Sequence, residues 1–152
     1  MYSDLRKSFL ELTVIWKDDH MFELRVRTSN TRFSGTTEVY DTSDTLSNFA
    51  KRLIGFPSDN KTLFYEAGEK DSYSYFSMRF YCIDTAGHVG VEINLEENVS
   101  TVYRQEEKDK LKLEIIVVPS AIDNFQKELL KMAMTEDGIA TLYGQHSNSD
   151  NT

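Results

Sequence analysis

YSYFSMRFYCIDTAGHVGVEINLE, residues 73–96, decides the fold, because it holds two alternating apolar–polar runs joined by one turn. Phe76, Met78, Phe80 and Cys82 share one face of the first run, and Val89, Val91, Ile93 and Leu95 share one face of the second. A period of two marks a half-buried strand. Closing the chain at Asp84-Thr85-Ala86-Gly87 sets Cys82 opposite Val89, Phe80 opposite Val91, Met78 opposite Ile93 and Phe76 opposite Leu95. The same register sets Arg79 against Glu92. It also sets Tyr81 against Gly90, where an aromatic ring can cover bare backbone. A slip of one residue would turn every apolar side chain to the other face, so these pairs fix one register.

Residues 9–16 and 21–28 form a second hairpin by the same test. A loop centred on Asp18-Asp19-His20 sets Trp16 opposite Phe22, Val14 opposite Leu24 and Leu12 opposite Val26, with Glu11 opposite Arg27 on the other face. A third strand spans roughly 32–40, where Gly35 marks a bulge or bend. A short strand follows near 61–66, and the charged segment 97–109 reads as a surface loop. Residues 110–118 carry alternating Leu111, Leu113, Ile115 and Val117, with Ile116 and Val118 also apolar. That pattern predicts a central strand buried on both faces near its end.

Two helices complete the set. Leu46, Phe49, Ala50 and Leu53 recur at i, i+3, i+4, i+7 within a helix over about 44–54, with Ser43 or Asp44 as N-cap and Gly55 and Pro57 beyond its end. Ile122, Phe125, Leu129, Met132 and Ala133 form the stripe of a second, over about 121–134, with Ser120 as N-cap. The predicted fold is α+β: antiparallel sheet or sheets of about 6–7 strands with two amphipathic helices. Residues 1–134 form one domain, and 135–152, ending in a polar stretch with nothing to bury, form a flexible tail. Residues 46–53 and 122–129 align without a gap, and each helix follows three strands. A βββα pseudo-repeat explains this; so does the small residue repertoire of any helix packed on a sheet.

Composition bounds the function. The chain of 152 residues has a net charge of −8 and one cysteine. The cysteine count excludes an internal disulfide and fits a reducing compartment. No apolar run is long enough to span a bilayer, and the first residues lack the apolar core of a secretion signal, so a cytoplasmic location is expected. Residues 57–109 hold eleven acidic against five basic side chains, whereas residues 1–56 balance at eight each. A negative surface disfavours phosphate backbones and favours basic partners, although charge of this kind also serves solubility alone.

No pattern for chemistry emerges. There is no Gly-x-Ser-x-Gly elbow, and Cys82 lies on an apolar strand face, where a thiol is inert. His20, His88 and His146 fall in a turn, a strand and the tail, without metal-ligand spacing. The glycines of Gly87-His88-Val89-Gly90 serve a turn and the Tyr81 contact rather than a phosphate. The expectation is a protein that is not an enzyme and needs no cofactor or metal. It is expected to bind neither nucleic acid nor membrane. A small-ligand-binding β-rich domain is the alternative, and a hydrolase a third reading. Glu66, Glu69, Asp71, Tyr73, Tyr75, Arg79, Tyr81, Glu92, Glu96 and Glu97 are the candidate partner-binding residues, since tyrosine and arginine anchor interfaces and the carboxylates suit a basic partner. A helix lying over that face would account for its tyrosines equally well.

Several segments together resemble a known family: Phe33-Ser34-Gly35, the helix from Leu46 to Leu53, Gly68-Glu69-Lys70-Asp71, Asp84-Thr85-Ala86-Gly87-His88-Val89, and the helix from Ile122 to Ala133. In this order they are similar to the WapI-type immunity proteins, small bacterial proteins that neutralise a cognate polymorphic toxin. The resemblance covers most of residues 8–134. It implies protection by direct binding to a basic toxin domain such as a nuclease, and it supplies no catalytic motif to carry over.

Overall fold

A computed structural model describes residues 7–57, 62–70, 73–98, 102–103 and 108–145. The elements in chain order are β1 (Phe9–Lys17), β2 (Phe22–Ser29), β3 (Ser34–Asp41), α1 (Ser43–Arg52), β4 (Leu63–Gly68), β5 (Ser74–Cys82), β6 (Val89–Glu97), β7 (Asp109–Val117), α2 (Pro119–Thr135) and β8 (Ile139–Tyr143). The α+β class and the two helices are as expected. The eight strands form two four-stranded antiparallel sheets, ordered β3-β2-β1-β8 and β4-β5-β6-β7.

The hairpin β5–β6 has the register read from its sequence, from Cys82 opposite Val89 to Phe76 opposite Leu95. Its turn closes because the Asp84 carboxylate accepts the backbone N–H groups of Ala86 and His88, at 2.9 and 3.1 Å, while Gly87 takes a positive φ of 99°. The Asp18 carboxylate does the same for the β1–β2 turn, accepting from His20 and Met21. There the predicted register holds from Glu11–Arg27 to Val14–Leu24 and then breaks. A bulge at Ile15 shifts the pairing, so Trp16 stands opposite Glu23 instead of Phe22 and turns outward, 47% exposed.

Four further expectations are corrected. β3 pairs with β2 through Gly35 without interruption. The glycine faces the other sheet, where a Cβ on it would come within 2.7 Å of the end of the Leu111 side chain and displace it. β7 is an edge strand, and Ile116 is 45% exposed. The α1 cap is Thr42, whose hydroxyl accepts from the Thr45 N–H, while Ser43 reaches across to the Ala133 carbonyl at the end of α2. Helix α2 begins at Pro119, with its fixed φ suited to a first turn, so Ser120 lies inside the helix. The supposed flexible tail from 135 is likewise corrected, because Ile139–Tyr143 is β8 and pairs antiparallel with β1, from Thr13–Ile139 to Phe9–Tyr143. His146 to Thr152 lie outside the described residues.

One apolar cluster draws on all ten elements, so 7–145 pack as one body with the core between the sheets and helices. Phe80 sits at its centre, with the rings of Phe49 and Phe56 at 5.9 and 6.3 Å. Four pairs of aligned helical positions are buried: Leu46 with Ile122, Phe49 with Phe125, Ala50 with Gln126, Leu53 with Leu129. Strand order repeats as well. Each half runs three strands, a helix and a fourth strand, and the fourth strand joins the other half's sheet: β4 beside β5, β8 beside β1. The halves are interlocked by this exchange.

Candidate functional site

The outer face of the second sheet receives six of the predicted residues. Glu66, Tyr75, Arg79, Tyr81, Glu92 and Glu96 share it because their positions alternate with the core-facing ones on β4, β5 and β6, although Tyr75 and Glu96 are themselves buried. Tyr75 is buried and Tyr81 half-buried, and among the described residues both hydroxyls are held by neighbouring carboxylates. The Tyr75 hydroxyl donates to Glu66 at 2.8 Å, and burial followed by that carboxylate raises its pKa. Tyr81 donates to Glu114, lies across Gly90 and carries the Arg79 guanidinium 4.7 Å above its ring. The Glu114 carboxylate, with burial adding to it, pushes the Tyr81 phenol up to about 12, so it stays protonated. Glu92 lies between Arg79 and Lys112, each at 3.4 Å; burial opposes its ionisation, but the two cations hold it below the usual carboxylate range. Lys110 approaches Glu96 at 3.8 Å. Every carboxylate of this face therefore has a partner within the protein.

The other four candidates lie elsewhere. Glu69 is exposed just past β4, and Asp71 lies outside the described residues. Tyr73 is 86% exposed, and Glu97 ends β6 on the opposite side from Glu96. These last two line a cleft of about 600 Å³ with Glu23, Glu38 and Tyr40 of the first sheet. Strand register explains the gathering. Trp16, Glu23 and Tyr40 form a row across the outer face of β1, β2 and β3, created by the bulge that turns Trp16 outward. The Trp16 and Tyr40 rings meet edge to face at 6.1 Å. Glu38, one pair further along, is held by Arg25 at 2.9 Å. The side-chain carboxylates of Glu23 and Glu97 have no hydrogen-bond or ion-pair partner among the described residues. The sequence marks Tyr40 and Glu23 only as outward positions; nothing local places them near Tyr73, which arrives from the other sheet.

Elsewhere, His88 pairs with Asp84 at 2.8 Å in the β5–β6 turn, far along the sheet from Glu66, which stands level with Ser77. That imidazole and the turn's N–H groups hold Asp84 below its ordinary pKa. Cys82 is half-buried against the core. Among the described residues no three His, Cys, Asp or Glu side chains group so as to hold a metal ion, and no helix is long and apolar enough to cross a membrane.

One buried ionisable pair stands behind the cleft's strand. The Tyr65 phenol donates to Asp41, whose carboxylate also accepts the Thr42 N–H at 2.7 Å. Desolvation raises Asp41 despite both bonds, and raises Tyr65 further. A carboxyl raised in the folded state binds its proton more tightly there than in the unfolded chain, so its ionisation costs stability above the folded pKa. That cost is relieved as the pH falls from the raised value toward about 3.9, the unfolded reference. Asp41→Asn is therefore expected to look most favourable relative to wild type at neutral pH, with the difference shrinking in urea melts run at lower pH. A difference that does not change with pH would acquit Asp41 as the linked group.

No protein-family model, curated protein or solved structure matches the chain.

Proposed function

We propose that this chain is a non-catalytic binding protein that neutralises a toxin domain by direct contact, and that the partner is basic. The observation that carries the reading is the cleft where the outer face of β2 and β3 meets the ends of β5 and β6, and where exposed Tyr40 and Tyr73 stand with Glu23 and Glu97. Aromatic side chains held open on a rigid sheet are the residue types that dominate interface energetics. Carboxylates without internal partners steer a cationic partner and speed association. The resemblance to WapI-type immunity proteins supplies the class of partner, a toxin domain such as a nuclease.

The test is co-expression with the toxin domain encoded beside this gene. Growth should be rescued, and the two proteins should co-elute from a sizing column. Tyr40→Ala combined with Tyr73→Ala should weaken binding about 30-fold or more, the effect of losing an interface hot spot. Raising the salt should slow association more than it speeds dissociation. Lack of both protection and complex formation would overturn the reading.

A further inference from the structure

The two halves of the fold allow an internal comparison. By register, the row Trp16–Glu23–Tyr40 of the first sheet corresponds to Tyr81–Gly90–Ile116 of the second. In the second sheet the row is closed by the protein itself. Tyr81 lies flat over Gly90 with its hydroxyl on Glu114, Arg79 covers its ring, and the Ile116 carbonyl accepts the Gln145 N–H at 2.6 Å. The second half thus holds an arginine against an aromatic face with carboxylates alongside, the same residue types that the first sheet offers without the arginine. In the first sheet the corresponding row stays open. Glu23 replaces the glycine, Trp16 and Tyr40 stand edge to face at 6.1 Å, and the cleft of about 600 Å³ opens at Glu23 and Tyr40, with Trp16 behind Tyr40 outside its lining.

We propose that this cleft receives one arginine side chain from the protein partner, its guanidinium stacked on Tyr40 or Tyr73 and hydrogen-bonded to Glu23 and Glu97. The inference rests on the protein-binding reading above and names the anchor that it lacks. Charge complementarity favours a cation, since three carboxylates, Glu23, Glu38 and Glu97, line the cleft, and among the described residues only Glu38 has an ion-pair partner, Arg25. A planar guanidinium suits the site better than an ammonium, because it can stack on a ring and bond two carboxylates at once.

Trp16 is the sole tryptophan of the chain and touches Tyr40, so its emission reports on the cleft. The probe is a capped hexapeptide with one arginine, titrated against versions carrying lysine or citrulline. A saturable change is expected, about threefold tighter for arginine than for lysine and at least about tenfold tighter than for uncharged citrulline. Glu23→Gln with Glu97→Gln should weaken the arginine peptide by about tenfold while leaving the thermal melt in place. Equal response to citrulline, or no saturable change, overturns the proposal, and equal affinity for lysine overturns the choice of arginine. Binding of the whole toxin domain by the same double variant separates the two readings. Unweakened binding sinks the arginine anchor and leaves the toxin-binding role standing, while a wild-type chain that binds no toxin sinks that role.

Discussion

Truncating the chain after Asp137 should abolish cooperative folding, as judged by loss of the urea unfolding transition and of dispersed amide resonances. The removed segment contains β8, whose Ala140 and Leu142 are fully buried against Leu12 and Leu10 of β1. Deleting one buried leucine side chain already costs about 2–5 kcal/mol. Here five register pairs along β1 go as well, together with the backbone bonds from Gly144 to Ser8 and Gln145 to Ile116 that bridge toward β7. Leu10 and Leu12 would be left on a bare strand edge, an invitation to aggregation. A domain's whole stability is about 5–15 kcal/mol, so the sum exhausts it. Leu142→Ala provides the graded version, with a native fold but a lowered melting temperature. A truncated chain that melts like the full one would show that β8 is an accessory.

Phe80→Ala is the point substitution with the largest expected effect on stability. Phe80 is fully buried, faces Val91 on β6 and Leu63 on β4, and meets the rings of Phe49 and Phe56. Its removal leaves a cavity where α1, its following turn and three strands converge, and these cannot all collapse into it. The cost should be about 3–5 kcal/mol. In a chain of this size that lowers Tm by roughly 2–4 °C per kcal/mol. Phe80→Leu keeps most of the volume and should cost less than half as much. Chemical denaturation of the three proteins side by side checks this, and equal midpoints for Phe80→Ala and wild type would contradict the packing described.

How far the fold could be read in the chain depended on the distance between the interacting residues. The β5–β6 hairpin was legible because nine successive pairs, Arg79–Glu92 and Tyr81–Gly90 among them, are joined by one short turn. The β1–β2 hairpin was legible up to Val14. Beyond it the bulge at Ile15 leaves no trace in hydrophobic alternation, because Trp16 is apolar and fits either face of the pattern. β8 was missed for a different reason. Five residues alternating weakly between Ile139 and Tyr143 become a strand only beside β1, which lies at the other end of the sequence. For β7, Ile116 and Val118 suggested burial on both faces, whereas the structure uses Ile116 partly as the backbone partner of Gln145.

The candidate site divides the same way. Alternation alone placed Tyr73, Tyr75, Arg79 and Tyr81 on one polar face beside Glu92, but could not show that Glu66 and Glu96 join it or that each carboxylate there would be answered by a neighbour. Tyr73 was read onto that same face, though it lies just before β5 begins, and Glu97 was singled out for its charge. Their meeting with Tyr40 and Glu23 depends on how one sheet is laid against the other, which no local pattern encodes.

The exchange of fourth strands bears on the order in which the molecule is made. During synthesis β1, β2 and β3 emerge first, yet their sheet lacks its last strand until Ile139–Tyr143 has left the ribosome. Until then the nascent chain carries a sheet with an open β1 edge, while β4 waits for β5. Closing so long a span is entropically costly and makes for slow, late cooperative folding. A protein built this way completes its first sheet only after every strand of the second has been made.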